Sequence, residues 1–123
     1  MNKALVIDDA RTVRQYHREL LESVGYAVHE AFNGIEALEI CGAETFDLLV
    51  VDVNMPKLNG YDFLQSYRER DDGHAVAIMV TTEARPDDAL QAMQAGANLH
   101  LVKPVNPETL KQLAQLLRAE EAA

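Results

Sequence analysis

Six side chains with acid, base or hydroxyl chemistry stand where short apolar runs stop. Asp8 and Asp9 follow the run Ala4–Ile7, Asp52 follows Leu48–Val51, Thr81 and Thr82 follow Val76–Val80, and Lys103 with Pro104 follows Leu99–Val102. Each has an ordinary structural role when taken alone: Asp9 as a helix cap, the threonines as β-branched strand residues, Lys103 and Pro104 as a turn. Taken together they fall at the edge where open parallel sheets bind ligands. If the first and third runs are neighbours, Asp8, Asp9 and Asp52 converge, and each like-charge pair at 4 Å costs on the order of 4 kcal/mol at an effective dielectric of about 20. One lysine cannot offset that, so the cluster implies a divalent cation, Mg2+ or Mn2+, which prefers carboxylates, water and phosphate oxygens.

A metal-bound carboxylate beside a lysine and a threonine hydroxyl is a set of parts for phosphoryl transfer, in which positioning and charge neutralisation do most of the work. Asp52 is the expected nucleophile. Lys103 would hold one phosphoryl oxygen, Thr81 would donate a hydrogen bond to a second, and the cation would take the third.

The elements that must position these groups read as five alternating strands and helices, the pattern of a doubly wound α/β fold. The strands are the four runs above and Ala27–Ala31; the first, third and fourth are almost continuously apolar, as strands buried on both faces are. Between them, Val13, Tyr16, Leu20, Leu21 and Val24 repeat at helical spacing before a stop at Gly25. Ile35, Leu38 and Cys41 mark a second helix, Tyr61, Leu64 and Tyr67 a third, and Leu90, Met93 and Ala97 a fourth, opening near Pro86 and closing near Gly96. Asn106 and Pro107 cap a fifth, with Leu110, Leu113, Ala114 and Leu117 as its apolar stripe. The single cysteine, Cys41, falls on the second stripe and reads as a buried thiol.

Composition narrows the classes further. The 123 residues are 48% hydrophobic and 25% charged, which suits one globular domain spanning residues 1–123. A net charge of −9 works against binding to nucleic acid. No apolar run approaches a bilayer span and no signal pattern opens the chain, so a cytoplasmic protein with no membrane partner is expected.

Four segments resemble the receiver domains of bacterial response regulators, particularly the single-domain chemotaxis regulators of the CheY type: Val6-Ile7-Asp8-Asp9, Val51 through Gly60, Val80-Thr81-Thr82-Glu83-Ala84, and Val102-Lys103-Pro104-Val105. The resemblance implies a flavodoxin-like (βα)5 fold with strand order 2-1-3-4-5. It implies that Asp52 takes phosphate from the phosphohistidine of a sensor histidine kinase or phosphotransfer protein. Mg2+ would be held by Asp9, Asp52 and the Asn54 carbonyl, with Asp8 acting through water, and Lys103–Pro104 would be a cis peptide bond. Such a domain is a phosphoacceptor switch rather than an enzyme, although it assists its own phosphorylation and dephosphorylation. Thr81 and a residue of the fifth strand would relay the state to the face of helix four, strand five and helix five, where a downstream protein, or a second copy in an otherwise monomeric protein, would dock. Asn54 and Glu83 match positions that tune phosphoryl lifetime, and helix one, with Arg11, Arg14 and Arg18 as an exposed stripe, would meet the kinase.

Two positions depart from the family pattern. The rotating residue is usually Tyr or Phe, but here it is His100, which reads either as a polar, pH-sensitive switch or as an edge-strand histidine facing solvent. Thr82 replaces a smaller residue and would narrow the path to the phosphoryl group. An aspartate-nucleophile phosphatase would need an acid two residues beyond Asp8, where Ala10 stands, and flavin binding would need a phosphate cradle in place of Asp8-Asp9-Ala10-Arg11. A receiver cut from a larger hybrid kinase or regulator is the remaining alternative; Met1 just before the first strand and the Ala119–Ala123 end favour a free-standing protein with no output domain.

Overall fold

The computed structural model describes residues 2–82 and 85–118. Five strands, β1 (Lys3–Ile7), β2 (Ala27–Ala31), β3 (Leu48–Asp52), β4 (Val76–Thr81) and β5 (Leu99–Val102), form one parallel sheet in the order β2-β1-β3-β4-β5. Helices α1 (Arg11–Ser23), α2 (Gly34–Ala43), α3 (Gly60–Arg68), α4 (Pro86–Ala95) and α5 (Pro107–Leu117) make the crossovers. The order is the one expected from the resemblance, and it leaves β1, β3 and β4 inside the sheet.

Side chains of a strand alternate between faces, so each inner strand feeds two cores. Leu5, Ile7, Leu49, Val51, Ala77 and Met79 pack with Cys41, Phe63, Leu64, Tyr67 and Ala92 from α2, α3 and α4. Ala4, Val6, Leu48, Val50, Ile78 and Val80 pack with Leu21, Leu110 and Ala114 from α1 and α5. Burial drives the Cys41 thiol up to about 11, which makes it a packing group rather than a nucleophile.

Helix ends follow local chemistry. Asn33, Asn59 and Asn106 cap α2, α3 and α5 by accepting from the backbone N–H groups of Glu36, Asp62 and Thr109. Gly96 closes α4 in the left-handed region, with φ of 111°. No described helix is long and apolar enough to cross a membrane.

Two apolar stripes differ from the sequence reading. In α4 the sheet-facing residues are Ala92 and Ala95, while Leu90 and Met93 are 58% and 52% exposed. Small side chains let this helix sit close to the sheet, and the larger ones on the same helical period turn outward. In α2 the buried residues are Gly34, Ala37 and Cys41, and Ile35 is exposed.

One glycine ties the fold to the polar edge. Gly60 opens α3 directly beneath the end of β3, its N–H donating to the Val53 carbonyl at 2.9 Å. A Cβ there would run into the Asp52 carbonyl and lie 3.0 Å from Val53 Cα, both of them backbone atoms. Gly60→Ala is therefore expected to lower the urea-unfolding free energy by about 1–3 kcal/mol, the cost of overpacking a rigid site; an unchanged midpoint would mean that α3 moves away without penalty.

Candidate functional site

The strand register assembles the site. Ile7 pairs with Val51, so Asp8 and Asp52 come next, side by side. Asp52 pairs with Val80, which puts Thr81 one step beyond, and Thr81 pairs with Val102, which puts Lys103 one step further. The Lys103 N–H donates to the Thr81 carbonyl at 2.7 Å, and the Lys103–Pro104 bond is cis.

Lys103 Nζ donates to Asp8 Oδ2 at 2.8 Å and to Asp52 Oδ1 at 3.1 Å. Asp8 and Asp52 are buried, whereas Asp9 is exposed, and one oxygen of each lies within 4.8 Å of the other two. Asp8 Oδ1 also accepts from the Ala10 N–H at 2.9 Å, and Asp52 Oδ1 accepts from the Asn54 N–H at 3.4 Å. Ala10, not Asp9, is the N-cap of α1, and it makes no side-chain cap, so Asp9 is not spent on capping.

Burial first, and then the Asp8 carboxylate, push Asp52 up from 3.8 to about 6 against the pull of Lys103. Burial also works against the charge on Lys103, but the hydrogen bond from its ammonium to Asp8 and the field of Asp52 hold its pKa above the ordinary value. Three carboxylates facing one ammonium leave an excess of negative charge at an edge open on the Asp9 side. That donor set fits Mg2+ or Mn2+, with Asp8, Asp9 and Asp52 as the available carboxylates and the Asn54 carbonyl beside them in the chain.

The remaining sequence candidates fall in distinct places. Thr81 is buried at the end of β4, and Thr82 is exposed beside it. Glu83 lies outside the described residues. His100 is half-buried in mid-strand: Leu99 and Leu101 pack on the α5 side, so His100 faces the α4 side, where its Nε2 is shut off from solvent without a hydrogen-bond partner among the described residues. It is not a histidine pointing to solvent. The expected arginine stripe on α1 is divided, because Arg14 and Arg18 both bind Glu30 of β2, at 2.9 and 2.6 Å, and Arg14 also donates to the Asp8 carbonyl. Arg11 alone of the three is exposed.

The sequence reading missed His17, which is 2% exposed and whose pKa burial lowers. A signal was present: positions 13, 17, 21 and 24 form one helical stripe, and His17 is its only polar member.

An acidic cluster of this kind, bridged by a lysine at the carboxyl edge of a β2-β1-β3-β4-β5 sheet, defines a class of phosphate-accepting signalling domains. The response regulator receiver domain model matches residues 4–115, and the chain belongs to that family. It is 38% identical over 112 residues to the chemotaxis protein CheY of Pseudomonas aeruginosa, covering 89% of this chain and 90% of that protein. It is 36% identical over 118 residues to CheY1 of Helicobacter pylori, covering 94% and 95%. Among solved structures, CheY4 of Vibrio cholerae superposes with a TM-score of 0.89 at 36% identity, over 96% of this chain and 99% of that one. The chain is thus a CheY-like receiver domain with a phosphoacceptor role in two-component signalling.

Because Asp52 is raised, the folded protein holds that proton more tightly than the unfolded chain, so metal-free stability falls as pH rises from about 4 to about 6. Asp52→Asn is expected to remove this slope and to stabilise the metal-free protein at pH 7 by up to about 3 kcal/mol, the cost of the raised pKa. Urea denaturation in EDTA between pH 4 and 8 measures both, and equal pH profiles for the two proteins would contradict the assignment.

Proposed function

We propose that Asp52 is the phosphoacceptor and that a carboxylate oxygen of Asp52 attacks the phosphorus of a phosphohistidine on a sensor histidine kinase or phosphotransfer protein. The supporting observation is the single ammonium of Lys103 within hydrogen-bond distance of both Asp8 and Asp52. Lys103 holds the reacting carboxylate in place and meets a phosphoryl oxygen as it arrives. Thr81 supplies a hydroxyl from the neighbouring strand end, and Thr82 stands at the entrance and slows access. Asp8, Asp9, Asp52 and the Asn54 carbonyl would hold Mg2+, which when bound neutralises the charge gathering between carboxylates and phosphoryl oxygens.

The output surface in this reading is α4, β5 and α5. Leu90, Met93, Val102 and Leu116 are exposed there, an apolar set that suits a protein partner. His100, on β5 and facing the α4 side, serves as the switch residue in place of an aromatic ring. NMR is expected to show the ring resonances of His100 moving when a beryllofluoride phosphoryl mimic binds; identical resonances with and without the mimic remove His100 from the switch.

Incubation with Mg2+ and acetyl phosphate or phosphoramidate, followed by intact-mass analysis and peptide mapping, is expected to place one phosphoryl group on Asp52. EDTA and Asp52→Asn should each abolish it, and Thr82→Ala should speed its appearance or its loss by a few-fold. Labelling that survives Asp52→Asn, or no labelling by either donor or a cognate kinase, would overturn the assignment.

A further inference from the structure

Next to the acidic cluster, between α1 and the loop joining β5 to α5, lies a cavity of about 230 Å3 lined by Val13, Tyr16, His17, Thr82, Lys103, Pro104 and Val105. Its walls are tied together, because the Tyr16 hydroxyl donates to the Val105 carbonyl at 3.2 Å. The lining is mostly carbon. His17 adds little charge, since burial favours its neutral form. Lys103 also lines it, and the Nζ of that side chain lies 3.1 Å from Asp52 Oδ1. A cavity with apolar walls, one of them formed by the lysine whose ammonium meets the nucleophilic carboxylate, is matched by a small ligand with an anionic head and an aliphatic tail. Protein docking through the exposed residues of α1 does not require such a recess.

We propose that this cavity is a leaving-group pocket for small-molecule acyl phosphates, taking the acyl chain while Lys103 and the acidic edge hold the phosphoryl head. The inference rests on Asp52 being the phosphoacceptor. In the step, a carboxylate oxygen of Asp52 forms a bond to phosphorus as the bond from phosphorus to the acyl oxygen breaks. The electron pair of that bond leaves on the carboxylate, no proton is transferred, and the total charge is conserved. Binding energy from the non-reacting chain then raises the rate of transfer. Val13, Tyr16 and Val105 become determinants of donor choice.

Acetyl, propionyl and butyryl phosphate carry leaving groups of nearly equal basicity, so differences among them report on the chain. The measurement is the second-order rate of Asp52 labelling in Mg2+ for each donor, with phosphoramidate, which has no chain, as reference. The expected result is a rise of about threefold per added methylene, below the full transfer value because the cavity is open on one side. In Val13→Phe, which fills the cavity, the butyryl-to-acetyl ratio should fall towards one. Equal rates for the three donors in the unsubstituted protein would overturn the proposal without needing the variant, and would leave the cavity to a side chain of a protein donor. A rise that persists undiminished in Val13→Phe would also overturn it, by placing the chain elsewhere. No labelling by any donor, phosphoramidate included, would instead be a failure of Asp52 as phosphoacceptor.

Discussion

Three carboxylates share one corner of this molecule with a single lysine, and two of the three are cut off from water. Asp8, Asp9 and Asp52 each bring an oxygen within 4.8 Å of the others, and Lys103 reaches only Asp8 and Asp52. Such a cluster is costly in a half-buried setting, and Asp52 responds by holding its proton up to about 6. The same excess of negative charge makes the corner receptive to a cation and, with the cation, to a phosphoryl group. The unfavourable electrostatics of the apo protein and its capacity to be switched therefore have one origin.

The sheet sustains that corner. Parallel strands with helices on both faces bury the inner strands completely, and a one-residue slip would reverse every side chain between two filled cores. Register is thereby held firmly, and with it the placement of Asp8 beside Asp52 and of Lys103 beyond Thr81. Gly60 adds a local constraint, since α3 can start under the Asp52 carbonyl only without a Cβ.

The edge of the sheet is packed differently from its centre. β5 is only partly buried, and the neighbouring α4 buries Ala92 and Ala95 rather than large side chains. Thr81 and His100 belong to the adjacent strands β4 and β5, and the polar Nε2 of His100 is enclosed there without a partner among the described residues. A seam with small contacts and an unsatisfied polar atom has less to lose on rearrangement than the core around Phe63 and Leu64. Leu90 and Met93 of α4 and Val102 of β5 leave exposed apolar surface on the same two elements.

Much of this was legible along the chain. Continuous apolar runs marked β1, β3 and β4, asparagine caps and glycine stops marked helix ends, and chemically active residues stood at strand ends, because these signals are local and set by backbone geometry and periodicity. Strand order was legible only through family resemblance, since periodicity does not say which strand lies beside which. Nor could it say which of two apolar stripes on α4 would be buried, that Arg14 and Arg18 would be taken up by Glu30, or that His17 would be enclosed beside Lys103. The sequence by itself determined the elements, the two-sided cores and the chemical types gathered at the carboxyl edge. Only the tertiary structure decided the distances among the carboxylates, the depth at which Asp52 and His17 are buried and the faces left exposed, because these depend on which distant segments meet.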